Sequence, residues 1–180
     1  LRSFPGASCG DISALISGSN DNGALVVDLA NIVHKDATNS VYFYAGVNDY
    51  NKGASTQDGI KSLEDCIDKI IAESLVDELV VFTIPPSDHV WNPTNSIVNP
   101  KVMVINDWIR RNADVKGYKV FDLYQFVVDE NDDATCKPGV LDPLPDGLHI
   151  TKAAQKNVAD RLVSFVMGDN SAAMNAQMRR

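Results

Sequence analysis

Long apolar runs are missing from this sequence. No stretch approaches the roughly 18 to 20 residues that a membrane-spanning helix needs, and no charged-then-apolar leader opens the chain, so a membrane span is not expected. Cysteine is scarce too: Cys9, Cys66 and Cys136 are widely spaced and odd in number. They offer neither a disulfide framework nor a metal motif, and reduced thiols in a cytoplasmic protein are the expectation. Basic residues are outnumbered, 16 Lys and Arg against 24 Asp and Glu, for a net charge of -8. Binding phosphate needs clustered cations, so direct nucleic-acid binding by this segment is not expected. What is present is 44% hydrophobic and 22% charged in 180 residues, the composition of a folded chain with enough mass for one good core. A single domain over residues 1–167 with a polar tail over 168–180 is the expected organisation.

Apolar periodicity marks the elements. Residues 1–5 read as a short strand entering a Gly6-Ala7-Ser8-Cys9-Gly10-Asp11 turn, with Asp11 as helix N-cap and Ile12, Leu15 and Ile16 at helical spacing. Leu25, Val26, Leu29, Ile32 and Val33 mark one face of a second helix. Buried strands are expected over residues 40–45, 78–84 and 118–123, with Pro85-Pro86 closing the second. Helices are expected over 57–76, where Ile60, Leu63, Ile67, Ile70 and Ile71 recur at three- and four-residue steps, over 101–113 and over 151–167. Residues 49–56, the long 87–100 segment with His89 and Trp91, and the acidic run 129–133 read as loops. Short strands, apolar on both faces and separated by helices of ten or more residues, imply βαβ units and an α/β fold, a parallel sheet covered on both sides. In such sheets, sites gather beyond the carboxyl ends of the strands.

Two of these strand-end or helix-start segments carry chemistry. Pro145-Asp146-Gly147-Leu148-His149 puts a carboxylate three residues before an imidazole, at the mouth of the last helix. An acid so placed fixes the ring's tautomer and stabilises its protonated form, the back half of a Ser-His-Asp triad. The plainer role for Asp146 is to cap that helix. Gly46-Val47-Asn48-Asp49 follows the first buried strand, where a rigidly held Asn amide can donate to a developing oxyanion, or where Asn-Asp merely forms a turn. Cys9 in the first turn shows no sign of a lowered thiol pKa, and His34 at a helix end suits the dipole there.

With these segments in this order, the sequence resembles the SGNH, or GDSL-type, hydrolase superfamily over nearly its whole length. Gly46-Val47-Asn48-Asp49 and Asp146-Gly147-Leu148-His149 look like that family's third and fourth blocks, and Gly6-Ala7-Ser8-Cys9-Gly10-Asp11 like its second. The resemblance implies a three-layer α/β/α sandwich of flavodoxin-like type, with His149 as base, Asp146 as its orienting acid, and Asn48 with a glycine N–H as oxyanion donors. Gly10, directly before an Asp, is favoured as that glycine, while the Phe-Pro-Gly-Ala opening favours Gly6. Arg2-Ser3-Phe4-Pro5-Gly6-Ala7 followed by Asp11-Ile12 looks particularly like the esterase domains in the first open reading frame of some non-LTR retrotransposons.

The family's first block, Gly-Asp-Ser with the nucleophile, has no counterpart before Leu1, and the chain starts without Met. A first strand lying upstream is the leading explanation, ahead of a relative without a nucleophile. The third explanation is a displaced block at Met167-Gly168-Asp169-Asn170-Ser171, against which Gly168 reads well as the residue ending the last helix. The expected function is hydrolysis of a small carboxylic ester, a lipid ester or an acetylated glycan, with no metal or organic cofactor implied. The alternative is a nucleophile-free module of the same fold that binds such a ligand or assembles with copies of itself.

Overall fold

The computed structural model describes residues 7–16, 38–51, 54–73, 76–87, 98–143 and 146–168. The expected strand over 1–5, the helix through Leu25 and Val33, and the residues Gly6, His34, His89 and Trp91 lie outside them. The chain forms two compact units, one from Leu1–Ile84 with Trp91–Val120, the other from Pro85–Val90 with Phe121–Arg180.

The first unit holds helix α1 (Cys9–Ile16), strand β1 (Ser40–Phe43), helix α2 (Val47–Asn51), helix α3 (Thr56–Ala72), strand β2 (Glu78–Phe82) and helix α4 (Val98–Lys116). β1 and β2 pair in parallel with Val41 opposite Leu79 and Phe43 opposite Val81, and β3 (Lys119–Phe121) lies on the far side of β2. Leu79, Val80 and Val81 are all buried, so β2 is covered on both faces, as its unbroken apolar run requires. Against the sheet pack Leu63, Ile67 and Ile70 of α3 and Val102, Ile105 and Ile109 of α4, each set at the helical period. Ser55 caps α3 by accepting the Asp58 N–H (3.1 Å).

The second unit contains helix α5 (Leu123–Val127), capped by Asp122, a hairpin of β4 (Val128–Asp129) and β5 (Asp132–Cys136), and helix α6 (Lys152–Val166), capped by Thr151. Phe121 packs against Phe126 and Phe165, with ring centroids 5.3 and 5.5 Å away.

Two expected loops and one expected strand end are corrected. Residues 49–51 close the short helix α2, the acidic run 129–133 is built into the hairpin, and Leu123 starts α5 instead of ending a strand. Each is a short element whose few residues carry no periodicity. Asp11 is not the cap of α1. Ser8 is, and its hydroxyl and N–H donate to Asp11 Oδ2 (2.7 and 2.8 Å) while the Asp11 N–H donates back (3.3 Å), a reciprocal box across one turn. Among the described residues no helix is long and apolar enough to cross a membrane.

Candidate active site

In the first unit the Gly46-Val47-Asn48-Asp49 segment bends directly off β1. Gly46 sits at φ +115°, and a Cβ there would come within 2.8 Å of Ile84 Cδ1, so both conformation and space call for glycine. Ile84 is itself pinned: buried Asn106 on α4 accepts its N–H (2.7 Å) and donates to its carbonyl (2.8 Å). Both backbone polar groups of Ile84, two residues beyond the end of β2, are thus satisfied by one side chain.

The turn from β1 lays α2 against the start of α1. Asn48 Nδ2 donates one hydrogen to the Ala7 carbonyl (3.0 Å), and its second has no partner among the described residues. Both carboxylate oxygens of buried Asp49 accept the Cys9 N–H (2.9 and 3.2 Å). In the first turn of α1 the N–H groups of Cys9, Asp11 and Ile12 are all taken. The Gly10 N–H is exposed and has no partner among the described residues. Asn48 is thus tied to Ala7, just before the helix whose first turn includes Gly10. Cys9 is no substitute nucleophile: burial, and then the charge of Asp49, push its thiol far above the ordinary value, so it stays protonated.

In the second unit an isolated antiparallel bridge between Leu141 and Ile150 closes the loop carrying Asp146 and His149. Gly147 turns through φ +56°, its N–H reaches the Asp142 carbonyl (3.1 Å), and the Ser87 hydroxyl donates to its carbonyl (3.1 Å). Asp146 Oδ1 accepts the N–H groups of His149 (2.7 Å) and Leu148 (3.0 Å), and Oδ2 lies 2.7 Å from His149 Nδ1. The His149 N–H first, then its ring and the Leu148 N–H, hold the Asp146 carboxyl down at about 2. An ionised carboxylate only accepts, so in neutral His149 the proton sits on Nδ1 and Nε2 keeps its lone pair. That is the tautomer a general base needs. The ring is 73% exposed. A groove of about 490 Å³ in the same unit, lined by Phe126, Val140, Val158 and Arg161, includes neither residue.

The end of α6 bears on the displaced-nucleophile reading. Gly168, at φ +79°, donates to the Phe165 carbonyl (3.3 Å), which is a helix terminus and not a strand end. Residues 169–171 lie outside the described residues.

The sequence matches the model of the GDSL-like lipase/acylhydrolase family over residues 6–162. The chain belongs to this GDSL-like family. The match runs through both units and across all three motif segments. Among solved structures, the family chain is similar to a Bacteroides fragilis protein assigned as an acylhydrolase (TM-score 0.71, 16% identity, 94% of this chain and 74% of that one). It is also similar to a GDSL-like lipase from Bacteroides thetaiotaomicron (0.69, 15%, 93% and 74%). A third similar structure is Est24, a carbohydrate acetylesterase from Sinorhizobium meliloti (0.58, 12%, 93% and 88%). At these identities the likeness shows the fold, the α/β sandwich with a parallel sheet of GDSL-family hydrolases. No curated protein matches the sequence.

The sequence reading missed Asn106 and the parts played by Asp49 and the Ala7 carbonyl. Asn106 was signalled, as a lone amide on the otherwise apolar face formed by Val102, Ile105 and Ile109.

Proposed function

We propose that this GDSL-family chain is the acid–base and oxyanion-binding part of a serine-type carboxylic ester hydrolase. The observation that carries the reading is the Asp146/His149 pair, whose 2.7 Å contact at Nδ1 leaves Nε2 as the basic nitrogen. Support from the first unit is the Gly10 N–H and the second amide hydrogen of Asn48, neither of which has a partner among the described residues. In the proposed reaction a Ser outside this chain, on a strand preceding Leu1, attacks the ester carbon. His149 takes the hydroxyl proton and returns it to the leaving alkoxide, Asp146 stabilises the imidazolium, and Gly10 and Asn48 bind the oxyanion. Gly10 is preferred to Gly6, which lies outside the described residues.

Acetyl and lipid esters are the proposed substrates. The acetylesterase named among the similar structures, and the resemblance of the Arg2-to-Ala7 phrase to retrotransposon esterase domains, support that choice. A second reading is a non-catalytic binding or assembly module of the same fold. Hydrolysis of a short-chain nitrophenyl ester by the full-length protein separates them. Turnover abolished by His149→Ala supports the enzyme, whereas no turnover, or turnover indifferent to that change, rejects it.

A further inference from the structure

Cys9 is held at both of its backbone polar groups by side chains distant in sequence. Its N–H is accepted by both Asp49 oxygens (2.9 and 3.2 Å), and its carbonyl accepts the Cys66 thiol of α3 (3.2 Å). The second contact matters because a peptide group is planar, so the Cys9 carbonyl and the Gly10 N–H are two ends of one rigid plate pointing opposite ways. A bond that fixes the carbonyl fixes the direction of the Gly10 donor. We propose that Asp49 and Cys66 are positioning residues that hold the two peptides meeting at Cys9, Asp49 the Ser8–Cys9 peptide and Cys66 the Cys9–Gly10 peptide, so that the Gly10 N–H is aimed before an oxyanion forms.

Both side chains suit the task. Asp49 is 6% exposed and pairs with no Lys or Arg among the described residues, so its charge is directed at the start of α1, where the helix dipole is positive. Cys66 is fully buried, and burial, moderated by Lys69, pushes its thiol up to about 12, which keeps the donating proton in place at any working pH. A preformed donor needs no reorganisation when charge develops on the substrate oxygen, which is how such groups raise turnover and not substrate affinity.

The inference rests on the ester-hydrolase reading, and its test keeps the two apart. Cys66→Ala and Asp49→Ala in the full-length protein are expected to lower kcat on nitrophenyl acetate by about 10- to 100-fold with KM within about twofold, the size of a misaimed donor. Cys66→Ser and Asp49→Asn, which keep a donor and an acceptor, should recover most of that loss. The Gly10 amide resonance should move in the two Ala variants and return in the conservative ones. An unchanged kcat or an unmoved Gly10 amide in Cys66→Ala, with hydrolysis still abolished by His149→Ala, overturns the positioning role and leaves the enzyme reading intact. Hydrolysis that survives His149→Ala overturns the enzyme reading itself. Should Asp49→Ala fail to fold, the pair Cys66→Ala and Cys66→Ser decides.

Discussion

In the first unit the groups proposed to bind an oxyanion are held by contacts between residues 40 and 41 positions apart, Cys9 with Asp49 and Ala7 with Asn48, at least partly buried. In the second, Asp146 holds His149 across three positions, and the ring stands 73% in solvent. The donors thus depend on the packing of α1, α2, α3 and the sheet, whereas the acid–base pair is set by one turn of chain and a glycine at φ +56°. The difference teaches where disturbance should be felt. Damage to the first unit's core should blunt the donors and leave the pair's local geometry intact, while changes within the pair should abolish chemistry without loosening any core.

The sharpest break is His149→Ala. Turnover should fall by roughly 10⁴-fold or more, as removal of a triad base does, while the melting temperature stays put because the ring is exposed. Kinetics and thermal unfolding on one preparation check both halves. Asp146→Asn comes next, with a loss of about 10³- to 10⁴-fold, because an amide that donates toward Nδ1 favours the wrong tautomer; imidazole nitrogen chemical shifts report the change directly. Asn48→Ala removes one oxyanion donor and should lower kcat by about 10²- to 10³-fold.

Asn106→Ala touches no reacting group, yet it strips partners from both the N–H and the carbonyl of Ile84 in a fully buried place. Two orphaned backbone groups at about 1 to 3 kcal/mol each predict a stability loss of about 2 to 6 kcal/mol in denaturant unfolding. The resonances of Asp146 and His149 should not move.

The smallest effect concerns pH. The Asp146 carboxyl sits at about 2 against an ordinary value of 3.8, so the stabilisation it gives the loop is complete above 3.8 and is lost as pH falls toward 2. The His149 backbone amide, hydrogen-bonded to this carboxylate, should keep its shift down to about pH 3 and lose it below. An amide that moved near pH 4 would show the carboxyl to be unperturbed.

How much was legible follows the same division. The long helices were readable from period alone: α3 was expected over 57–76 and spans Thr56–Ala72, and α6 was expected over 151–167 and spans Lys152–Val166 with Thr151 as its cap. The places of the three strands were readable from apolar runs between helices, but only β2 is buried as expected: β1 exposes Tyr42, and β3 starts on exposed Lys119 and is three residues long, since Asp122 turns the chain into α5. The Asp146 and His149 contact was readable because three residues of backbone leave few ways for the two side chains not to meet. The clamp on Cys9 was not, because an Asp in a Gly-x-Asn-Asp loop and a Cys on the apolar face of α3 look like a turn residue and a core residue.

By itself, then, the sequence determined the alternation of strand and helix and the nearness of the Asp146 carboxylate to the His149 ring, since each follows from patterning or bonding within a few residues. Only the tertiary structure decided that Asp49 and Cys66 grip the two ends of Cys9, that Asn106 pins the backbone of Ile84, and that the Gly10 N–H has no partner among the described residues. The physical reason is that a hydrogen bond between residues 40 or 57 positions apart exists only once a packed core has brought them together.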